Sequence, residues 1–246
     1  MLAAMPPSPH TSPESGEPLI RDRGDACPGA LRLHPADDGR LARLRLPAGR
    51  LTSRQVEVLA AAAESLGDGR ITVTSRGNAE LRGLGEGCGA ELAGLLAEAG
   101  LLPSATHERV RNIVASPAAA LDGLGHADVQ LWARTLDTLL CAEPWAAALS
   151  GRFLFVLDDG RGDVAGLGGD VTLIAESGGG GEGEGGSGSG SGGLLYVGGQ
   201  AFRVADAARA ALAAADAFLR AAQEAGNGAW RVRELPEGHV LDLASA

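Results

Sequence analysis

Two short segments of this chain carry arginine and asparagine side chains close together, at residues 74–83 and 110–117. The side chains concerned are Arg76, Asn78, Arg82, Arg111 and Asn112. An arginine guanidinium presents a planar fork of donors that matches a carboxylate bidentately. The two segments therefore predict an anion-binding site, and one suited to a ligand with several carboxylates.

A strand is the element expected to position the first segment. If the chain is extended from Ile71 onward, side chains alternate between two faces. One face is then apolar and comprises Ile71, Val73, Ala79 and Leu81. The opposite face carries Arg76, Asn78 and Arg82 toward a ligand. Spacing alone leaves an alternative open, in which these side chains are simply the solvated face of a half-buried antiparallel strand.

The motifs around these arginines resemble the signature of the nitrite and sulfite reductase family. The resemblance rests on Ser75-Arg76-Gly77-Asn78, on Arg82-Gly83 and on Arg111-Asn112. It extends to Cys27-Pro28-Gly29, and to Leu149, Arg152 and Phe153 leading into Asp158-Asp159-Gly160. It covers residues 22 to about 240, which corresponds to the first half of a family member. Within the family, the motifs are most similar to the precorrin-3B synthase branch of aerobic cobalamin biosynthesis.

The resemblance implies roles for individual side chains. Arg76 and Arg111 match the arginines of the two family motifs, and Arg152 stands where the family has the first of two lysines. Leu154 stands where the second lysine is found, and Glu80 replaces a glutamine of the first motif. The implied tetrapyrrole-binding set is Arg76, Asn78, Arg82, Arg111, Asn112 and Arg152. Leucine cannot hold an anion, so Leu154 favours the corrin branch over sulfite or nitrite reduction.

The family also implies cofactors, namely a [4Fe–4S] cluster together with iron or siroheme. Such a cluster needs four thiolates. The sequence has three cysteines, Cys27, Cys88 and Cys141, without paired spacing. The cluster ligands are therefore absent from this chain, and a second half-enzyme polypeptide is a possible partner. The histidines are isolated in sequence, and no nucleophile or general base is identified, so the catalytic residues remain unknown.

Three functions stay open at this point. The first is a precorrin-3B synthase-like oxidoreductase acting on a polycarboxylate tetrapyrrole (precorrin) substrate, in truncated or split form. The second is a relative of the sulfite and nitrite reductases. The third is a noncatalytic tetrapyrrole-binding module that keeps the arginines without the redox half.

Composition narrows the classes of partner. The 246 residues are 45% hydrophobic, which supports a packed core, and the formal net charge is −10. A net negative charge disfavours nonspecific binding to nucleic acid or an anionic membrane. No apolar run approaches the length of about 20 residues needed to span a bilayer, and the first residues lack the pattern of a signal peptide. We expect a cytoplasmic protein with no nucleic-acid or membrane partner.

The order of elements predicts an α+β fold. We expect a disordered tail at residues 1–21 and a ferredoxin-like half-domain of the nitrite/sulfite reductase type at 22–105. A partial second α+β domain of the siroheme/iron–sulfur type should follow at 106–240, with a flexible Gly/Ser/Glu loop at 177–193. An extended connector is expected at 106–123, ended by Ser116-Pro117.

Turn and capping residues predict several element boundaries. Asp37-Asp38-Gly39 predicts a hairpin turn between strands at 30–34 and 41–46. Thr52 and Gln55 predict a capping box opening a helix that stops at Gly67. A last strand is expected over 230–235.

An aspartate-rich stretch follows the predicted strand at 153–157. Its carboxylates are Asp158, Asp159, Asp163 and Asp170. Carboxylates suggest a hard cation, but the spacing lacks the alternation of a calcium loop, and the many glycines between them are typical of turns. We interpret these aspartates as turn residues and predict no metal site.

Overall fold

The computed structural model describes residues 29–177, 192–239 and 241–243. The predicted tail at 1–21 and most of the predicted loop at 177–193 lie outside these residues. Within the described ranges, no helix is both long enough and apolar enough to cross a membrane.

The first sheet is antiparallel and has four strands in the order β1-β2-β4-β3. Its strands are β1 (His34–Ala36), β2 (Gly39–Leu44), β3 (Ile71–Val73) and β4 (Ala79–Leu84). Helices α1 (Ser53–Leu66) and α2 (Gly89–Glu98) pack against it. The shared apolar core includes Leu59, Ala62, Leu81, Leu84, Leu92 and Leu96. Because strand side chains alternate, the other face of the sheet is left for polar residues.

The second sheet has five strands in the order β5-β6-β7-β8-β9, the first three parallel and the last two antiparallel. Its strands are β5 (Ile113–Ala115), β6 (Phe155–Asp158), β7 (Val171–Ala175), β8 (Gly193–Val197) and β9 (Gln200–Val204). Helices α3 (Val129–Ala142) and α4 (Ala207–Ala225) pack together over this sheet. Phe153 lies at the centre of their core, with its ring centroid 5.1 Å from that of Phe155 and 5.0 Å from that of Phe218.

The two sheets have separate apolar cores. The described residues of the first core run from Ala30 to Leu101, and those of the second run from Val110 to Leu241. The predicted domain boundary at 105/106 falls between Leu101 and Val110. The mixed α and β architecture expected from the sequence is confirmed.

The predicted caps are present. The Thr52 hydroxyl accepts a hydrogen bond from the Gln55 backbone N–H, and the Gln55 side chain accepts one from the Thr52 backbone N–H. Gly67 is the C-cap of α1, as predicted. The hairpin turn at Asp37-Asp38 is also confirmed, although β1 begins only at His34.

The predicted continuous strand from Ile71 to Arg82 is wrong, because the chain turns at residues 74–78. The Thr74 N–H donates to the Asn78 carbonyl at 2.8 Å, and Gly77 has a φ of 69°. This left-handed conformation favours glycine. The turn converts one strand into a hairpin of β3 and β4, and Val73 on the short edge strand is 70% exposed rather than buried.

The extended connector predicted at 106–123 contains β5, which pairs with β6. The predicted last strand at 230–235 is wrong, because the chain forms a 3-10 turn at Val232–Glu234. The Glu234 carboxylate accepts the backbone N–H groups of Trp230 at 2.7 Å and Arg231 at 3.2 Å, which closes the turn instead of leaving these donors for a sheet.

Candidate anion-binding site

Strand β2 and the residue after it supply two arginines to the sheet face opposite the helices. In this stretch Ala42 and Leu44 lie in the core, so alternation places Arg43 and Arg45 on the other side. Arg45 is only 5% exposed; its Nε donates to the Arg109 carbonyl at 3.1 Å and its Nη2 to the Gly151 carbonyl at 2.9 Å. Arg45 therefore links the first sheet to the segments that precede β5 and β6.

Arg43 pairs across the sheet with Glu80 on β4. The two residues are directly opposite in the strand register. The Arg43 Nε donates to Glu80 Oε1 at 2.7 Å, and Nη2 contacts the same oxygen. Glu80, which stands where the family motif has glutamine, thus fixes one arginine in place.

Arg76 is presented by the turn at 74–78, and buried amides hold that turn. The Asn78 Oδ1 accepts the Leu46 backbone N–H at 3.0 Å, and Asn78 Nδ2 donates to Asn112 Oδ1 at 3.2 Å. The Asn112 Nδ2 in turn donates to the Phe153 carbonyl at 3.0 Å. This chain of amides connects the Arg76 turn to the segment that bears Arg152.

The second domain supplies the facing arginines. The Arg152 guanidinium carbon lies 4.9 Å from the centre of a Trp230 ring, a cation–π arrangement. Arg231 is buried, and its Nε lies 2.5 Å from Asp170 Oδ2. Arg233 is exposed two residues further along the same turn.

These side chains border one cavity of about 730 Å³, a size typical of small-molecule sites. Its charged lining consists of Arg43, Arg45, Arg76, Arg152, Arg231, Arg233 and Glu234. Six arginines and one carboxylate line the cavity of a chain whose net charge is −10, and two of these arginines, Arg43 and Arg231, are paired with Glu80 and Asp170 outside the lining. The cavity is a locally basic site in an acidic protein, and it is suited to a polyanion.

The structure separates the predicted binding residues into two groups. Arg76, Asn78 and Arg152 line the cavity. Arg82, Arg111 and Asn112 are not among its lining residues. Asn112 is fully buried, and its Oδ1 orients Asn78 by accepting a hydrogen bond from the Asn78 side-chain amide.

Arg82 and Arg111 lie outside the cavity lining, and each is paired with a carboxylate there. Arg82 pairs on the surface with Asp38 at 2.9 Å; this hydrogen bond lowers the pKa of Asp38 and raises the pKa of Arg82. Arg111 pairs with Asp137 of α3, Nε to Oδ1 at 2.6 Å and Nη2 to Oδ2 at 2.7 Å. The expected convergence of the two motif arginines is therefore corrected: Arg76 faces the cavity and Arg111 does not.

Sequence reasoning missed four lining arginines. Arg43 and Arg45 carried a usable signal, because arginine alternates with apolar residues in Ala42-Arg43-Leu44-Arg45-Leu46. No local sequence pattern indicates Arg231 and Arg233, since their placement depends on the 3-10 turn after α4.

The aspartates after β6 form hydrogen bonds within the loop. Carboxylate oxygens of Asp158, Asp159 and Asp163 lie within 4.8 Å of one another. Burial raises the pKa of Asp158, but backbone donors outweigh this, so its pKa lies below the ordinary value. These donors are Gly160, Gly162, Val164 and Ala165, at 2.8–3.1 Å. Asp159 pairs with Arg161, and Asp163 accepts a hydrogen bond from the Ser116 hydroxyl.

The cysteines do not fit the implied iron–sulfur cluster. The sequence has three thiols where four are needed. Burial raises the pKa of Cys141, which disfavours the thiolate form that a metal requires. The Cys88 thiol donates to the Gly85 carbonyl at 3.2 Å.

Comparison with known proteins identifies the relatives of the first domain. Residues 34–99 match the model of the nitrite/sulfite reductase ferredoxin-like half domain. A precorrin-3B synthase of Sinorhizobium sp is 45% identical over 62 residues, which are 25% of this chain and 14% of that protein. A ferredoxin–nitrite reductase of Leptolyngbya laminosa is 37% identical over 93 residues, 37% of this chain and 18% of the other. The matched segments span less than a fifth of these oxidoreductases.

A solved structure extends the likeness to the fold of both domains. The NirA protein of Mycobacterium tuberculosis superposes with a TM-score of 0.59 at 15% identity, over 92% of this chain and 41% of NirA. At this identity the match concerns the fold alone. The match to the family model therefore places the similarity to the nitrite/sulfite reductase ferredoxin-like half domain at residues 34–99, and the superposition adds a likeness in fold over both domains.

Proposed function

We propose that the arginine-lined cavity binds a tetrapyrrole with several carboxylate groups, and that the chain acts in an oxidoreductase of the precorrin-3B synthase type. One observation carries the proposal: arginines from both domains, at positions 76, 152 and 233 among others, border a single cavity. A macrocycle with carboxylates around its rim offers acceptors in several directions. Arginines on facing walls can bind such groups at the same time.

The chain's own residues bind and orient the ligand in this proposal. Arg76 approaches from the half-domain, while Arg152 and Arg233 approach from the second domain. A guanidinium stays charged at physiological pH, so these contacts do not compete with proton transfer. Redox chemistry would be supplied by a cluster whose ligands lie outside this sequence, on a second half or on a separate polypeptide.

Leu154 supports the corrin branch over nitrite or sulfite reduction. It stands where the family resemblance places a lysine, and it is 1% exposed in an apolar cluster with Val156 and Val164. A buried leucine cannot bind a small inorganic anion.

Nitrite or sulfite reduction remains the second candidate. The observation that favours it is the similarity to ferredoxin–nitrite reductase, which covers more of this chain than the similarity to precorrin-3B synthase. A noncatalytic tetrapyrrole-binding module would use the same cavity in the same way. All three candidates predict tetrapyrrole binding, so binding is the property to test first.

A series of porphyrins with different carboxylate counts tests the proposal. The purified chain is titrated with octacarboxylate, tetracarboxylate and dicarboxylate porphyrins, and binding is followed by calorimetry. Because each charge-assisted hydrogen bond contributes about 1.5–3 kcal/mol, the octacarboxylate should bind at least about tenfold more tightly than the dicarboxylate. Added salt should weaken the octacarboxylate most. Equal affinity across the series would refute recognition by arginines.

A further inference from the structure

Asp170 links the cavity wall of the second domain to the sheet beneath it. It precedes β7, and its side chain is almost completely buried. Its Oδ2 accepts the Leu154 backbone N–H at 2.9 Å, while the Asp170 N–H donates to the Leu154 carbonyl at 2.8 Å. These two bonds fix the Asp170 carboxylate relative to the segment that also carries Arg152.

The same carboxylate holds the turn that follows α4. Its Oδ1 accepts the Val232 backbone N–H at 2.8 Å, and its Oδ2 lies 2.5 Å from Arg231 Nε. The Arg231 Nη2 also donates to the Gly168 carbonyl at 2.6 Å. The Asp170 carboxylate therefore binds both segments of the second domain that line the cavity, the one with Arg152 and the one with Arg233.

The position of this turn matters because two of its side chains contribute to the cavity. Trp230 supplies the ring beneath the Arg152 guanidinium, and Arg233 lines the cavity from the exposed side of the turn. The Glu234 carboxylate closes the turn internally through Trp230 and Arg231. Those bonds define the shape of the turn, whereas Asp170 fixes its place against the sheet.

We infer that Asp170 is a positioning residue for tetrapyrrole binding, which acts by holding Arg233 and the Trp230 platform of Arg152 in place. The inference rests on the proposed function. The direction of the change in anion affinity distinguishes a positioning role from the effect of charge alone. Removing a negative charge next to an anion site should strengthen anion binding if charge alone matters, whereas loss of positioning should weaken it.

The test is the variant Asp170→Asn, titrated with the octacarboxylate porphyrin. We expect affinity to fall about tenfold despite the more favourable charge. In a double-mutant cycle, Asp170→Asn should be non-additive with Arg233→Ala and additive with Arg76→Ala, because Arg76 belongs to the other domain. Asp216→Asn, which removes a carboxylate paired with Arg220 on the surface of α4, is the matched control and should leave affinity unchanged.

A second variant keeps the test decisive if Asp170→Asn fails to fold. Asp170→Asn leaves the Arg231 guanidinium buried beside a neutral amide, so the cycle is repeated with Asp170→Asn/Arg231→Gln, which leaves no unpaired buried charge. Its affinity is compared with that of Arg231→Gln, so that the loss of this cavity-lining arginine cancels. Tighter or unchanged binding by these variants, or equal coupling to Arg76 and Arg233, would overturn the inference. Failure of the wild-type chain to bind the porphyrin would instead overturn the proposed function.

Discussion

Replacing Arg111 by alanine should lower the free energy of unfolding by about 3 kcal/mol and leave porphyrin affinity nearly unchanged. The side chain is 6% exposed and is bound to both carboxylate oxygens of Asp137, which is 20% exposed. It also donates to the Leu101 carbonyl at 3.4 Å. The variant leaves the Asp137 carboxylate without its partner, and the loss is measurable by urea unfolding.

Two further variants show whether the loss comes from the unpaired charge. Arg111→Met/Asp137→Leu replaces the pair by apolar side chains and should be more stable than Arg111→Ala. Arg82→Ala breaks an exposed pair with Asp38 and should leave the melting temperature unchanged. A result in which Arg111→Ala keeps its stability but loses porphyrin affinity would show that Arg111 is a ligand residue after all.

The variant Arg76→Ala/Arg152→Ala/Arg233→Ala should lose porphyrin affinity by about a hundredfold or more. Each guanidinium that contacts a carboxylate contributes about 1.5–3 kcal/mol, so three losses together exceed the 2.7 kcal/mol or so that corresponds to this factor. None of the three lies in an apolar core, so the fold should be retained. Calorimetric titration gives the affinity, and circular dichroism gives the melting temperature.

A matched triple variant distinguishes the effect of the cavity arginines on binding from the effect of net charge. Arg82→Ala/Arg203→Ala/Arg209→Ala removes the same number of positive charges from surface pairs. The three partners are Asp38, Glu176 and Asp206. This variant should bind the porphyrin about as tightly as the wild type. Equal losses in both triple variants would mean that net charge, rather than the cavity, governs binding.

Local signals predicted those parts of the fold that depend on neighbouring residues. The capping box of Thr52 and Gln55 and the stop of α1 at Gly67 are decided by residues within one turn of the helix ends. Local patterning failed at residues 74–78. There the glycine and asparagine of the turn interrupt what reads as one alternating strand.

The candidate site was only partly predictable for a similar reason. Arg76 and Arg152 were found through a family resemblance, and the cavity joins them. Arg111 was misplaced, because its partner Asp137 lies 26 residues away on α3 and no local pattern reveals that pairing. Arg233 was missed because its position depends on a long-range contact, between Asp170 and Val232, 62 residues apart.

Arginine footprinting measures most directly whether the guanidiniums converge on one ligand. The protein is treated with phenylglyoxal with and without the octacarboxylate porphyrin, and modified residues are identified by mass spectrometry. Bound porphyrin should protect Arg76, Arg152 and Arg233, while Arg82 and Arg203 stay reactive. Protection of Arg82 and Arg203 to the same degree, or no protection at Arg76 and Arg233, would show that the cavity is not the binding site.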